Sequence, residues 1–186
     1  MHPNKESIQN ELLVLRCRRG ERGAFEELIR QWEGRLFYYI RRLVSHESDA
    51  WDILQETWIC VLRGIGKLRA PQALSPWLYR TARNHAMSHL KKRYRKRELF
   101  AVDPPDLDAV ASEPDNGFED AERVHYALDQ IPILQREVLT LHFLDDLSLA
   151  DIAQVLGVPE GTVKSRLYHA KRALREVLEK EDRTNV

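Results

Sequence analysis

Polar side chains at Thr162, Lys164, Ser165, Arg166, Tyr168, His169 and Arg172 interleave with Val163 and Leu167 at helical spacing. One face of that segment can be buried while the other offers cations and hydrogen-bond donors. Donors of this kind suit phosphate oxygens and the base edges of a major groove. Just upstream, Ser148 with Asp151 three residues on marks a helix start, Ala153 is a small residue where two helices can touch, and Gly157 can take a left-handed turn. Ile152, Leu156, Val158, Val163 and Leu167 supply the apolar surface. Two helices crossing over such a turn make a helix-turn-helix over Leu149 to Tyr168, which delivers its second helix to DNA. A plain helical hairpin with a glycine C-cap is the alternative, as are core-edge packing for Tyr168 and a solvated charge for Arg172.

A second constellation lies between Ser75 and about Arg97. On a helical wheel Leu78, Ala82 and Ala86 fall on one side with Leu90 at its edge, while Trp77, Arg80, Asn84, Ser88, Lys91 and Arg95 fall opposite. An aromatic, an amide and cations on one exposed face suit single-stranded or melted DNA, because bases stack while cations hold the backbone; a solvated face is the alternative. His85 and His89 share the apolar side four residues apart, and no carboxylate or cysteine nearby in sequence completes a metal set. They are expected to be partly buried packing residues. No glycine-rich phosphate loop and no local nucleophile-base arrangement is present, so neither a catalytic role nor a cofactor is expected.

The elements that position these faces are helical throughout, since apolar residues recur at helical spacing and no run shows sustained period-two alternation. The sequence predicts an all-α fold with helices over Ser7 to Arg19, Gly23 to Val44, a third from about Asp49, and a fourth N-capped by Ser75 with Pro76 at its first position. In the third, Trp51, Leu54, Trp58, Val61, Leu62 and Ile65 form the apolar stripe, with Asp52, Glu56 and Arg63 on another face. Phe118 to Ile131, Ile133 to Leu144, a short helix opened by Ser148 and closed by Gly157, and a final helix from Glu160 to Glu179 follow.

Charge divides the chain. The 29 basic and 29 acidic residues cancel, yet Arg80 to Arg97 holds eight bases and no acid, and Leu99 to Glu122 holds eight acids and no base. A basic block of this density points to a polyanion partner. Pro104, Pro105 and Pro114 among small and acidic residues offer too little apolar surface for a core, so 99–116 reads as a linker between small helical domains at 1–98 and 117–186. No apolar run is long enough to span a bilayer and Met1 to Asn10 lacks an apolar signal core. Cys17 and Cys60 stand far apart without a second ligand nearby, which fits a reducing compartment. A cytoplasmic protein without membrane insertion is expected.

Four stretches, GERGAFEELI, DAWDILQETW, PWLYRTARNHAMSHLKKR and IPILQREVLTLHFLDDLSLADIAQVLGVPEGTVKSRLYHAKRALREVL, stand in this order around the acidic segment. Over nearly the whole chain they resemble the extracytoplasmic-function sigma factors of bacterial RNA polymerase. That resemblance implies a first domain that binds core polymerase and the melted minus-10 element, and a second that reads the minus-35 duplex. It places Asp49, Asp52, Gln55 and Glu56 against the clamp helices of the largest polymerase subunit, with the flap as a further contact. It puts Trp77, Arg80, Asn84, Ser88 and Lys91, with the loop Lys67 to Leu74, at the minus-10 element, where a flipped-out base would sit. Lys164, Ser165, Arg166, Tyr168 and His169 would serve the minus-35 element, with Arg172 on phosphate. The resemblance also implies an anti-sigma partner and a linker threaded through the polymerase cleft. Trp51 departs from the family's usual acidic residue. A two-domain regulator that binds DNA without polymerase, and an enzyme acting on nucleic acid, are the rival readings.

Overall fold

The computed structural model describes residues 5–100, 119–144 and 146–184, and the elements there are all helical. They form two compact units, Met1–Lys96 and Arg97–Val186. The stretch read as a linker, 99–116, lies outside the described residues except for Leu99 and Phe100, which end a helix.

In the first unit α1 (Lys5–Arg18) gives way to α2 (Ala24–Arg41) through Gly20 and Gly23, both left-handed at φ 67 and 82. Glycine takes that conformation without the steric cost a Cβ brings. Arg16 closes the corner, donating from Nε to Glu21 Oε1 at 2.9 Å and from Nη1 to Glu27 Oε2 at 2.7 Å; these carboxylates raise its pKa further. Cys17 lies beside it, and partial burial pushes its thiol pKa up, away from the reactive thiolate. From α2, Leu28, Trp32, Leu36, Tyr39 and Ile40 enter the core every third or fourth residue.

Helix α3 (Glu47–Gly64) buries Ala50, Ile53, Leu54, Thr57, Trp58 and Val61. Trp51 and Leu62, which the apolar stripe was expected to include, are exposed at 43% and 58%. Small Ala50 and Thr57 take the inward positions instead, and Thr57 satisfies its hydroxyl by donating to the Ile53 carbonyl at 2.8 Å. Outside, Trp51 stacks on Phe37 of α2 with ring centres 4.2 Å apart and donates to Glu47 Oε1 at 3.3 Å.

Two 3-10 turns, Ile65–Lys67 and Pro71–Ala73, lead into α4 (Leu74–Phe100). The helix therefore begins before Ser75, and Pro76 sits inside the first turn rather than after a serine cap. It is tolerated there because the first-turn N–H groups have no intrahelical acceptor. Leu74, Leu78, Tyr79, Ala82 and Ala86 are buried, and Tyr79 meets Trp32 and Tyr39 edge-on with ring centres 6.0 and 5.2 Å away.

In the second unit α5 (Glu119–Asp129) is latched to α6 (Ile133–Leu139) by Arg136. Its Nη2 donates to the Asp129 carbonyl at 2.7 Å, and its Nη1 lies 3.2 Å from Asp129 Oδ1. The helix predicted to Leu144 ends as α-helix at Leu139 and continues as a π-turn over Thr140–Leu144. The Leu147 N–H then donates back to the Leu141 carbonyl at 3.0 Å, which turns the chain and buries Leu147. Ser148 caps α7 (Leu149–Leu156): its Oγ accepts from the Asp151 N–H at 3.1 Å and donates to Asp151 Oδ2 at 2.6 Å. Gly157, left-handed at φ 66, closes α7, and the N–H groups of Gly157 and Val158 both donate to the Ala153 carbonyl. Helix α8 (Glu160–Thr184) follows, and no described helix is long and apolar enough to cross a membrane.

Gly157→Ala should cost about 1–2 kcal/mol, because a Cβ at positive φ collides with the following carbonyl and not with a neighbour. Gly157→Asn should cost less. Urea unfolding of the full chain followed by circular dichroism checks the order.

Candidate nucleic-acid interface

On α8 Val163, Leu167 and Ala170 are buried, and the rest of the helix's first half follows from that anchor. Lys164, Ser165, Tyr168, His169 and Arg172 are exposed and share an arc opposite the buried residues. Thr162 and Arg166 are half-buried, at the margin between that arc and the core. Tyr168, 68% exposed, meets His169 edge-to-face at 5.4 Å. Arg172 Nε is held by Glu176 Oε1 at 2.9 Å one turn on, so a phosphate must compete with that carboxylate. Ile152 and Leu156 beneath are buried and Val158 is half-buried; Val155, not singled out from the sequence, is buried with them.

Arg80, Asn84, Ser88, Lys91 and Arg95 form an exposed stripe along α4 that runs about 22 Å. Trp77 is not part of that open face. It is half-buried, its indole lies against Gly64 at the end of α3, and a Cβ on Gly64 would stand 2.9 Å from Trp77 Cζ2. The wheel placed Trp77 outward because it took α4 alone, whereas the end of α3 covers that side. The loop before α4 is anchored by buried Ile65 and Leu74 and exposes Lys67, Arg69 and Gln72.

On α3, Asp52, Gln55 and Glu56 are exposed and Asp49 is half-buried. Two of these four carry partners on α4. His85 Nδ1 lies 3.2 Å from Glu56 Oε2, His89 Nε2 3.4 Å from Asp49 Oδ2, and Arg93 donates to Asp49 Oδ2 at 3.3 Å while its Nη2 lies 3.0 Å from His46 Nε2. The packing histidines expected from the sequence are thus partners of carboxylates 29 residues or more away in the chain. Their spacing, His85, His89 and Arg93 at successive turns facing Asp49 and Glu56 two turns apart, is the signal that antiparallel helices would have revealed.

Residues 28–96 match the family described as Sigma-70 region 2, and residues 121–174 the one described as Sigma-70, region 4. The chain is 34% identical to the RNA polymerase sigma-H factor of Pseudomonas aeruginosa over 92% of this chain and 94% of that one. It is 29% identical to the ECF RNA polymerase sigma-E factor of Haemophilus influenzae over 91% and 95%. The sigma factor RpoE of Bartonella quintana, solved in complex with the anti-sigma factor NepR, aligns with a TM-score of 0.74 at 25% identity over 84% of this chain and 98% of that one. The chain belongs to the Sigma-70 family as an extracytoplasmic-function sigma factor, a class that serves promoter-specific initiation of transcription.

A double-mutant cycle on Asp49→Asn and Arg93→Ala should give a coupling of about 0.5–1 kcal/mol in urea unfolding, shrinking in high salt, as for a partly exposed pair. Additive effects would show that the two side chains do not meet in solution.

Proposed function

We propose that the protein binds RNA polymerase core enzyme and directs it to promoters by reading a minus-35 duplex with α8 and a melted minus-10 strand with α4 and the loop before it. The observation that carries this reading is the single exposed arc of Lys164, Ser165, Tyr168, His169 and Arg172 on a helix anchored by Val163, Leu167 and Ala170. A rigidly anchored helix places short polar side chains at base edges and longer cations at phosphates. Thr162 and Arg166, at the core margin, contribute at the edges of the same contact.

Arg80, Asn84, Ser88 and Lys91 serve the minus-10 strand, with Lys67, Arg69 and Gln72 at the rim of a base pocket in the loop. Trp77 acts from beneath, shaping the start of α4. Asp52 and Gln55, together with the α4-held Asp49 and Glu56, meet the clamp helices of the largest polymerase subunit, and the second unit meets the flap. Segment 99–116, acidic and about twenty residues long, spans at most roughly 65 Å when extended, enough to link domains at 1–98 and 117–186 on separate promoter elements. The sigma factor RpoE of Bartonella quintana, solved in complex with the anti-sigma factor NepR, supports an anti-sigma partner here. A cytoplasmic, non-enzymatic role without a cofactor completes the reading.

Lys164→Ala should cost about 1–3 kcal/mol at one position of the minus-35 element and flatten base preference there, while Arg172→Ala weakens all sequences alike and lowers the salt dependence. Binding of the polymerase holoenzyme to a panel of single-base promoter changes at two salt concentrations checks both. Unchanged affinity and base preference in Lys164→Ala would remove that residue from the interface. Asp52→Ala combined with Gln55→Ala should weaken pull-down of core enzyme without changing helicity, since both side chains lie outside the α3 core.

A further inference from the structure

His85 and Arg93 both reach from α4 to carboxylates of α3, but only Arg93 keeps its charge at every physiological pH. Arg93 donates to Asp49 Oδ2 at 3.3 Å. His85 Nδ1 lies 3.2 Å from Glu56 Oε2, and an imidazole gains and loses its charge between about pH 5 and 8. The Glu56 side chain is 62% exposed and the His85 ring 28%, so water, protons and a docking partner all reach the pair. On α3, Asp52 and Cys60 stand one turn to either side of Glu56, and both are exposed. Asp49, two turns before Glu56, is taken by Arg93 and by His89, whose Nε2 lies 3.4 Å away. His46, ahead of α3, has its Nε2 3.0 Å from Arg93. On α4 itself, His89 and Lys92 follow one and two turns after His85. Helix α2 meets α4 through rings, Trp32 and Tyr39 on Tyr79. Asp49 thus keeps a permanent cation whatever the charge of His89, whereas the hold on Glu56 varies with the charge of His85.

A charged His85 ties Glu56 to α4 and cancels its charge. A neutral one offers at most a neutral hydrogen bond, roughly half as strong, and leaves the carboxylate available to an outside cation. We infer that His85 is a proton-operated latch on Glu56, which closes on acidification and withdraws an acidic contact from the cationic partner that docks on α3. Under the proposed function that partner is polymerase core enzyme, and the inference rests on that reading of α3. A partner that takes Glu56 removes the charge favouring the imidazolium, so docking expels a proton. By linkage, affinity falls as pH falls.

The test is binding of the full-length protein to core polymerase at about pH 8 and about pH 6 and equal ionic strength, each variant read against the parent at the same pH because core enzyme titrates too. His85→Gln, which takes no charge, should match the parent at the higher pH and bind about two- to fivefold tighter than the parent at the lower, the range for one exposed ion pair. His85→Lys, a permanent cation, should be weaker than the parent at the higher pH by a similar factor and equal to it at the lower. In a Glu56→Gln background, His85→Gln should change nothing at either pH. A parent-to-His85→Gln ratio that does not move with pH, or one that moves equally without Glu56, overturns the latch; circular dichroism at both pH values establishes that the variants are folded. Asp52→Ala with Gln55→Ala is the control for the underlying reading. If that pair weakens core binding and His85→Gln leaves the pH dependence unaltered, the latch falls alone; if neither has an effect, the reading of α3 falls with it.

Discussion

The first unit depends on the antiparallel registration of α4 against α3. Three rungs set it: the Trp77 indole on Gly64, His85 on Glu56, and His89 with Arg93 on Asp49. The first rung is apolar and steric, and the other two are polar and partly exposed, so they differ in what they contribute. Partly exposed ion pairs add little to stability. What they do is choose a rotation: buried Leu78, Ala82 and Ala86 fix the N-terminal half of α4, while the carboxylates of α3 fix the half where small, charged residues could not.

From that registration two surfaces follow at once. Residues of α4 that do not face the core or α3 form the cationic stripe from Arg80 to Arg95, and residues of α3 that face neither α2 nor α4 leave Asp52 and Gln55 outward beside exposed Trp51 and Leu62. An acidic surface mixed with apolar side chains and a cationic one suit different partners. Aromatic side chains such as Trp51, already ordered by Phe37 and Glu47, lose little freedom on being covered. The second unit solves a smaller version of the same problem. Capping by Ser148, the left-handed turn at Gly157 and the buried Val163 and Leu167 together leave α8 a single way to face outward.

The helix-turn-helix was legible because its signals are local: a cap, a glycine and apolar residues within twenty positions of one another. The all-helical fold was legible for the same reason, through periodicity. Trp77 was misplaced because its neighbour Gly64 lies on another helix, and a wheel drawn for one helix has no knowledge of what covers it. In α3 hydropathy favoured Trp51 and Leu62 over Ala50 and Thr57, whereas packing against α2 favoured small residues on the inside. The partners of His85 and His89 were invisible in local spacing, since Glu56 and Asp49 become neighbours only when α3 and α4 run antiparallel. The π-turn after Leu139 left no compositional mark.

Helices α3 and α4 present separate acidic and cationic surfaces on a single registered pair, which we propose serve polymerase and DNA respectively. Run-off transcription with purified core polymerase on promoter fragments, paired with pull-down of core enzyme, tests it most directly. The account predicts a discrete transcript with the parent protein. It predicts that Arg80→Ala with Asn84→Ala abolishes the transcript while core enzyme is still retained, and that Asp52→Ala with Gln55→Ala lowers both. A transcript that survives the α4 changes, or core binding that falls with them as far as with the α3 changes, would contradict it.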